Sequence, residues 1–304
     1  MKKFFLFLFF ALSGMIIVLA QDLVVGSYNI RNNNSSDNEQ GNGWDRRCPF
    51  VAQQILFYDF DFLGAQEVVH KQLEDLLQRL PQYGFVGVGR DDGKTGGEYA
   101  PIFYKKNRFK LMKSGHFWLS EQTDVPNKGW DAAYIRVCSW GQFRDLTKKK
   151  NVWVFNTHFD NVGVEARKQS ALLIMSKIKA LCDKEAVIFM GDLNVPQTNE
   201  SYTLFADSKF LYCTYETADV RYVLNGTFNG FRASRASNVR IDHIFVSDKF
   251  KVNRFGVLTE TYRTPAKDNQ SGVEDFPAGL YTVDATIRTL SDHYPIMATL
   301  DYLK

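Results

Sequence analysis

The sequence has few cysteines and no cysteine motif. Cys48, Cys138, Cys182 and Cys213 are far apart, and no two of them form a C-x-x-C pair, which argues against a zinc finger or a redox motif. An oxidising compartment would permit disulfides, but spacing alone does not select the pairs. Buried free thiols are the favoured interpretation.

The net charge is small, and long apolar runs are rare. The chain has 37 Lys+Arg and 34 Asp+Glu among 304 residues, and removing residues 1–20, which hold two lysines and no acid, leaves 35 − 34 = +1. So small a charge argues against a protein that holds long nucleic acid by charge alone, which makes nucleic acid a less favoured partner. After residue 20, no segment is apolar enough to cross a membrane and no Pro- or Ser-rich linker divides the chain. We therefore expect one domain over 21–304 without stable membrane insertion, and the oligomeric state is left open.

Residues 1–20 have the pattern of an export signal. Lys2 and Lys3 precede the apolar run Phe4–Leu12, and Val18-Leu19-Ala20 ends in the small residue that a signal peptidase requires. The alternative is an uncleaved membrane anchor, which is less favoured because a span needs about 20 apolar residues. The sequence thus predicts a signal peptide over 1–20 and an exported protein, either periplasmic or secreted.

Apolar runs bounded by turn residues predict strands that alternate with helices. Helices are predicted from Pro49 onward, over His70–Leu80 and over Glu165–Leu181. Such alternation favours an α/β fold, a four-layer sandwich of two packed mixed β-sheets flanked by helices. The predicted strands are Leu23–Arg31, Phe60–Gln66, Tyr83–Gly89, Ile102–Met112, Gly115–Leu119, Val152–Thr157, Ala186–Met190, Val239–Val246 and Pro295–Tyr302.

Polar side chains follow the predicted apolar strands at the point where each strand ends, and α/β sheets place their ligand sites there. Any one of these side chains alone is more often a solvated acid or a structural histidine than a functional group. Five such clusters in succession along the chain are harder to explain as solvated acids and structural histidines alone. They are Asn29, Glu67, Asn156–Asp160, Gly191–Asn194 and Ser291–His293, and Asp242 adds a sixth inside an apolar run.

These clusters resemble the endonuclease/exonuclease/phosphatase superfamily of metal-dependent phosphoesterases, which has the deoxyribonuclease I-like fold. The family pattern is a strand ending in Asn, a Q-E pair, T-H, G-D-x-N, an internal Asp and a C-terminal S-D-H. All six parts occur, as Asn29, Gln66-Glu67, Thr157-His158, Asp192 with Asn194, Asp242, and Ser291-Asp292-His293. The chain looks most like secreted bacterial members.

The resemblance implies Mg²⁺ or Mn²⁺ as cofactor, with Glu67 as the main ligand and Asn29 and Asp292 contributing oxygens. An alternative for Asp292 is an acid that orients a ligand without touching the metal. Asp192 would orient or deprotonate the attacking water. His293 would hold a proton with its tautomer set by Asp242, although which of Asp192 and His293 is the formal base stays open. Asn194 and His158 would donate hydrogen bonds to phosphoryl oxygens.

Other residues bear on the substrate. Arg31 stands where abasic-site endonucleases have an acid, which disfavours that activity. Arg136 and Trp140 are candidate substrate-binding residues on one predicted strand, and a surface charge on a half-buried strand is the alternative for Arg136. The run Lys148–Lys150 is best explained as a solvated turn. Aromatic residues that could stack on a base or a sugar are Tyr99, Trp118, Trp130 and Trp140.

The leading hypothesis is a metal-dependent hydrolase of phosphate mono- or diesters, acting on a small nucleotide, a sugar phosphate or a lipid head group. The alternative is a nuclease or 3′-exonuclease on single-stranded nucleic acid, and a non-catalytic binding module on the same fold ranks lower. A membrane-surface phospholipid hydrolase would need an exposed apolar loop, but the segment Tyr262–Tyr281 is polar.

Overall fold

A computed structural model of the protein describes residues 23–182, 184–265, 273–275, 280–282 and 285–303. Within these residues, no helix is both long and apolar enough to cross a membrane. The predicted signal peptide and much of the polar segment Tyr262–Tyr281 lie outside them. In chain order the elements are β1 (Leu23–Asn29), α1 (Ser35–Glu39), α2 (Trp44–Tyr58), β2 (Phe62–Gln66), α3 (His70–Arg79), β3 (Tyr83–Val86), β4 (Ile102–Lys105), β5 (Phe109–Trp118), β6 (Val137–Asp145), β7 (Asn151–His158), α4 (Val164–Cys182), β8 (Ala186–Asp192), α5 (Glu200–Ala206), β9 (Leu211–Cys213), α6 (Thr214–Thr217), β10 (Val220–Tyr222), β11 (Asp242–Ser247), β12 (Phe250–Val257), β13 (Thr261–Pro265), β14 (Val273–Asp275), β15 (Leu280–Thr282), β16 (Ala285–Thr289) and β17 (Ile296–Tyr302).

Two large mixed sheets pack face to face. The first has the strand order β10-β12-β17-β1-β2-β4-β3, and the second has the order β5-β6-β7-β8-β11-β9. Buried side chains such as Phe62, Val154, Ile188 and Ile296 fill the space between the sheets. Two further apolar clusters lie on the outer faces, one against α2 and α3 and the other against α4 and α5. The predicted α/β sandwich with flanking helices is confirmed.

Parallel strand pairs explain why the polar clusters meet. In the first sheet β1 and β2 run parallel and pair Asn29 with Gln66, so that Glu67 follows at the same edge. In the second sheet β7 and β8 run parallel and pair His158 with Asp192. β11 runs antiparallel to β8 and places its first residue, Asp242, opposite Asp192. Both sheets therefore bring their polar strand ends to one end of the sandwich.

Buried amides join the sheets directly beneath this end. Gln66 Nε2 donates to Asn156 Oδ1 at 2.7 Å, and Asn156 Nδ2 donates to the carbonyls of Ala65 and Pro101 at 2.7 and 2.9 Å. Because a buried amide costs free energy unless it is hydrogen-bonded, these contacts fix the register of one sheet against the other.

Several predicted elements have other bounds in the structure, and the predicted strand Gly115–Leu119 is the second half of β5. Helix α2 begins at Trp44, so Pro49 lies inside it, although proline has no N–H to donate to the preceding turn. The predicted strand Ile102–Met112 is two strands, because the chain leaves β4 in the first sheet and enters β5 in the second. The crossing is the polar turn Lys106-Asn107-Arg108, a boundary signal that the prediction of one continuous strand overlooked.

Candidate active site

Asn29 lies at the centre of the polar end and contacts both sheets. Its Nδ2 donates to Glu67 Oε1 and to Asp192 Oδ2, each at 3.0 Å. Its Oδ1 accepts from the backbone N–H of Arg31 at 3.0 Å. One buried amide therefore sets the spacing between an acid of the first sheet and an acid of the second.

Three residues just after these strand ends have a strained backbone. Arg31, Glu67 and Asn194 have positive φ angles of 58°, 60° and 50°. A non-glycine residue in this region costs of order 1–3 kcal/mol, and such residues cluster at functional sites.

His293, Asp242 and Asp192 form a buried row. Asp242 Oδ2 lies 2.9 Å from His293 Nδ1, and Asp192 Oδ2 lies 3.7 Å from His293 Nε2. Burial disfavours the charged imidazolium, but Asp242 and Asp192 outweigh burial and raise the pKa of His293 well above its usual value. Burial, and then the charge of Asp242, raise the pKa of Asp192 to about 7. The row therefore combines a protonated imidazole with a carboxyl group that titrates near neutrality.

His158 and Asn194 lie on the other side of Asp192. Asn194 Nδ2 lies 3.0 Å from His158 Nε2 and donates to the Phe159 carbonyl at 2.9 Å. Burial, and then the charges of Arg136 and Arg90, lower the pKa of His158 well below its usual value. A neutral His158 accepts from Asn194 at Nε2, so the predicted donation from both side chains to phosphoryl oxygens requires a rearrangement when substrate binds.

Arg47 is a structural residue that sequence reasoning missed. It is fully buried, and its guanidinium donates to the carbonyls of Asn42 and Ile30 at 2.7 Å each, of Leu290 at 3.0 Å and of Arg31 at 3.1 Å. The loop that follows β1 and the segment that carries Ser291–His293 are both tied to this one side chain. Nothing in its local sequence marked it, because three of its four partners are backbone carbonyls 16 or more residues away.

Arg136 lines the cavity, and the alternative of a surface charge is wrong. Only 5% of the residue is exposed, and its Nε lies 3.6 Å from Asp160 Oδ2. Asp160 also accepts backbone N–H groups from Ala133 at 3.1 Å and Tyr134 at 3.0 Å. Desolvation disfavours the Asp160 carboxylate, but these and other backbone donors outweigh it and lower its pKa. Asp160 thus fixes the loop before β6 that carries Tyr134 and Arg136.

Four further residues, which we call the outer wall, were not identified from the sequence as site residues. Glu98 accepts from Arg90 Nη1 at 2.5 Å and from Asn32 Nδ2 at 2.9 Å. Tyr134 is half exposed, and the guanidinium carbons of Arg90 and Arg136 each lie 5.6 Å from its ring centroid. The only signal was the Gly-rich turn between Asp91 and Glu98, and it indicated a loop without indicating a function. The outer wall is Asn32, Arg90, Glu98 and Tyr134.

The polar end encloses a cavity of about 450 Å³. The two sheets and the loops contribute its lining, which carries both acids and arginines. Of the predicted site residues, Asn29 and Asp242 lie beneath this lining and hold it in place. The lining residues are Arg31, Asn32, Glu67, Arg90, Glu98, Tyr134, Arg136, His158, Asn161, Asp192, Asn194, Phe228, Ile241, Asp292 and His293.

Other predicted substrate contacts lie elsewhere. Trp140 packs against Trp153, with ring centroids 5.5 Å apart, and belongs to the outer apolar cluster against α4, so its prediction as a substrate contact is corrected. Trp118 is buried and donates to the Arg90 carbonyl at 2.7 Å, which supports the outer wall. Tyr99 is buried beside His70, and Trp130 does not line the cavity. Lys148–Lys150 form the turn before β7, as predicted.

The fold and the clustered acids, histidines and arginines define a hydrolase of phosphate esters. The chain belongs to the Endonuclease/Exonuclease/phosphatase family, whose model matches residues 26–293. Among solved structures, a mannosyl-6-phosphatase of Bacteroides thetaiotaomicron is 44% identical, with a TM-score of 0.85, over 92% of this chain and 100% of that one. An uncharacterised protein of Acanthamoeba polyphaga mimivirus is 30% identical over 69% of this chain and 82% of its own length. The 3′-5′-exoribonuclease subunit of a CCR4-Not complex from Candida glabrata is 23% identical to this chain. The match covers 86% of this chain and 34% of that protein.

Enzymes of this family use divalent metal ions, and the residues present here fit such an ion. The cavity is lined by the carboxylates of Glu67, Asp192 and Asp292, all with oxygen ligands to offer. Beneath them, Asp242 Oδ1 is buried with no hydrogen-bond partner among the described residues. Ligand atoms of Asp192, Asp242 and His293 lie within 4.8 Å of one another. Glu67 and Asp292 form a second group, in which Arg31 Nη1 lies 3.9 Å from Glu67 Oε2 and 3.7 Å from Asp292 Oδ2. An ion at Glu67 would therefore share this acid with Arg31.

Proposed function

We propose that the protein removes the phosphate group from a phosphorylated sugar, with Mg²⁺ or Mn²⁺ as cofactor. The observation that carries this proposal is the cavity of about 450 Å³, whose lining combines acids and histidines with arginines and the carboxylate of Glu98. A cavity of this size suits one small ligand, since small-molecule sites measure about 300–1,000 Å³. The similarity to a mannosyl-6-phosphatase supports a sugar as the group that carries the phosphate.

Glu67, together with Asn29 and Asp292, is the proposed ligand set. A divalent ion bound there would neutralise charge on the phosphoryl group and make phosphorus more open to attack. We place the ion at this set because His293 Nδ1 is already hydrogen-bonded to Asp242 at 2.9 Å, which commits that pair to each other.

The remaining residues handle water and protons. Asp192 orients the attacking water and accepts its proton, and a carboxyl group with a pKa of about 7 suits that exchange at neutral pH. His293, held by Asp242, directs its Nε2 proton at the phosphoryl group. Arg31 and Arg136 line the same cavity and add positive charge for a phosphate that carries two negative charges.

A nuclease acting on single strands is the second candidate, and the similarity to an exoribonuclease subunit supports it. Two features weigh against it. The charge of 35 − 34 = +1 after residue 20 supplies little attraction for a polymer. Beyond the cavity, the basic run Lys148–Lys150 lies at the other end of β7 from His158, so it does not extend the site.

The test is a substrate panel with the purified protein lacking residues 1–20. Mannose 6-phosphate, other hexose phosphates, nucleoside monophosphates, a phosphodiester and single-stranded RNA are each assayed with Mg²⁺ and with excess chelator. Asp192→Asn is the inactive control. Turnover of hexose phosphates that needs Mg²⁺ and Asp192 supports the proposal. Turnover confined to RNA or to the diester would replace it with the second candidate.

We also propose that the protein is exported with residues 1–20 as its cleaved signal peptide, and that Mg²⁺-dependent hydrolysis takes place outside the cytoplasm. The pattern Lys2-Lys3, apolar run, Ala20 supports this. Cell fractionation and intact-mass measurement test it, because cleavage predicts a chain that begins at Gln21. A full-length chain in the cytoplasmic fraction would contradict the proposal.

A further inference from the structure

The outer wall contains a carboxylate that phosphate chemistry does not need. Glu98 lines the same cavity as His293, and its side chain is held by Arg90 at 2.5 Å and Asn32 at 2.9 Å. A carboxylate repels a phosphate, so Glu98 is unsuited to face that group. It is suited to accept hydrogen bonds from neutral hydroxyl groups.

Glu98 has acceptor capacity to spare. An ionised carboxylate offers about four lone-pair directions, and its two partners here use one on each oxygen. Its position is also fixed in advance, because both oxygens are already held. A ligand that hydrogen-bonds to Glu98 therefore does not have to immobilise it, which favours binding.

Asn32 connects Glu98 to the reaction end of the cavity. Its backbone N–H donates to Glu67 Oε2 at 3.1 Å, while its side-chain amide donates to Glu98 Oε1 at 2.9 Å. Glu67 and Glu98 are thus both hydrogen-bonded to Asn32. A substrate whose phosphate lies near Glu67 has room to place the next part of the molecule against Glu98.

Tyr134 supplies an aromatic surface beside this carboxylate. Its ring is half exposed, although the loop that carries it is fixed by Asp160, which accepts the Tyr134 backbone N–H at 3.0 Å. Arg90 and Arg136 lie 5.6 Å from the ring centroid. A rigid, exposed aromatic ring at a cavity opening offers contact area at low entropic cost, as tyrosines do at binding surfaces.

We propose that the outer wall is the sugar-binding subsite, in which Glu98 accepts hydrogen bonds from ring hydroxyls and Tyr134 packs against the ring. This inference rests on the proposed sugar phosphatase function and assigns the residues that select the sugar. Arg90 and Asn32 are positioning residues, because they act by holding Glu98.

Two substrates separate recognition of the sugar from hydrolysis of the ester. Mannose 6-phosphate is compared with cyclohexylmethyl phosphate, which keeps the primary phosphate ester and a six-membered ring but has no hydroxyl groups. Glu98→Gln should lower kcat/KM for mannose 6-phosphate by about 10- to 150-fold, the range expected for one hydrogen bond to a charged group. The loss for cyclohexylmethyl phosphate should be much smaller, so that the ratio between the substrates changes.

Tyr134→Ala should lower kcat/KM for both substrates, because both present a ring to the tyrosine. Glu200→Gln is the matched control, since Glu200 pairs with Lys168 at 2.8 Å on the surface and does not line the cavity. It should leave both substrates unchanged. The Tm of every variant is measured to exclude loss of folding as the cause.

The outcomes also separate this proposal from the proposed function. Equal losses on both substrates with Glu98→Gln, or no preference of the wild type for mannose 6-phosphate, would overturn the subsite while phosphatase activity stands. If the wild type hydrolyses neither substrate but cleaves RNA or a diester, the proposed function fails, and the subsite fails with it.

Discussion

Replacing Asp242 with asparagine tests whether the buried row carries protons or holds a metal. Asp242 is 1% exposed, and its Oδ2 lies 2.9 Å from His293 Nδ1. Asparagine has the same shape and no charge. The variant therefore removes the charge that holds the His293 proton, and the asparagine amide can also donate to Nδ1 and favour the wrong tautomer.

The size of the effect follows from two distances. Two unit charges separated by 2.9 Å attract with about 6 kcal/mol at an effective dielectric constant of ~20. Asp192, at 3.7 Å from Nε2, keeps about 4.5 kcal/mol of similar attraction. Because the charge of Asp242 helps to raise the pKa of Asp192 to about 7, its removal lowers that pKa and leaves Asp192 more ionised at neutral pH. Asp192 thus compensates in part, and we expect kcat to fall by about 10³-fold, less than the ~10⁴-fold loss in a serine protease triad.

The assay measures kcat/KM for the best phosphate ester and, by titration calorimetry without substrate, the affinity for Mg²⁺ or Mn²⁺. If Asp242 acts through His293, metal affinity changes little and Asp242→Asn/His293→Ala is little worse than His293→Ala alone. Asp219→Asn is the control, since Asp219 is exposed and paired with Lys251 at 2.8 Å. If the losses in kcat/KM of the two single variants multiply in the double variant, the coupling is refuted. If Asp242→Asn loses metal affinity as well as activity, Asp242 is a metal ligand.

Other measurements test the metal, the packing and the substrate class. Excess chelator should abolish activity, and Mg²⁺ or Mn²⁺ should restore it. A high metal concentration should restore part of the activity of Glu67→Ala. If Glu67→Ala at saturating metal is still as inactive as Asp192→Ala, Glu67 is more than a ligand. Arg47→Lys should lower the free energy of unfolding in a urea titration by about 3 kcal/mol, because an ammonium group cannot reach four carbonyls; a loss below about 1 kcal/mol would contradict this. Raising salt from about 50 to 200 mM should change KM less than about tenfold, whereas a loss of ~10³-fold on single-stranded RNA, with no turnover of small esters, would favour a nuclease.

The sequence predicted the sheets and the strand-end clusters because both depend on local patterns. Apolar runs mark β1, β2, β7 and β8, and their last residues are polar. Parallel pairing then places Asn29 beside Gln66 in the first sheet and His158 beside Asp192 in the second. The packing of the two sheets brings these two edges together. The polar cluster at the edge of each sheet could therefore be predicted from local patterns, whereas the expectation that they form one site came from the family resemblance.

The substrate side could not be predicted in the same way, because its contacts are long-range. Arg136 and Trp140 are four residues apart and were assigned to one strand, but β6 begins at Val137, so the alternation of strand faces does not extend to Arg136. Asp160, from the loop after β7, holds Arg136 in the cavity. Arg90 contacts Glu98 across the Gly-rich turn, but it also lies 5.6 Å from the ring of Tyr134, a contact that no local pattern indicates.

The separation between the reacting groups and the outer wall has a structural cause. At the inner end, hydrogen bonds from Asn29 to Asp192 and from Gln66 to Asn156 cross from one sheet to the other. His293, in the segment before β17 of the first sheet, is hydrogen-bonded to Asp242 of the second. These distances are set by how the sheets pack, and a displacement of about 1 Å can cost ~10²-fold in rate. The outer wall lies on loops after β1, after β3 and before β6, and reaches the inner end through the backbone N–H of Asn32. Every residue except proline would supply this N–H at position 32. Side chains of the loops can therefore change the group that is recognised, while the packing of the two sheets keeps the distances between the reacting groups fixed.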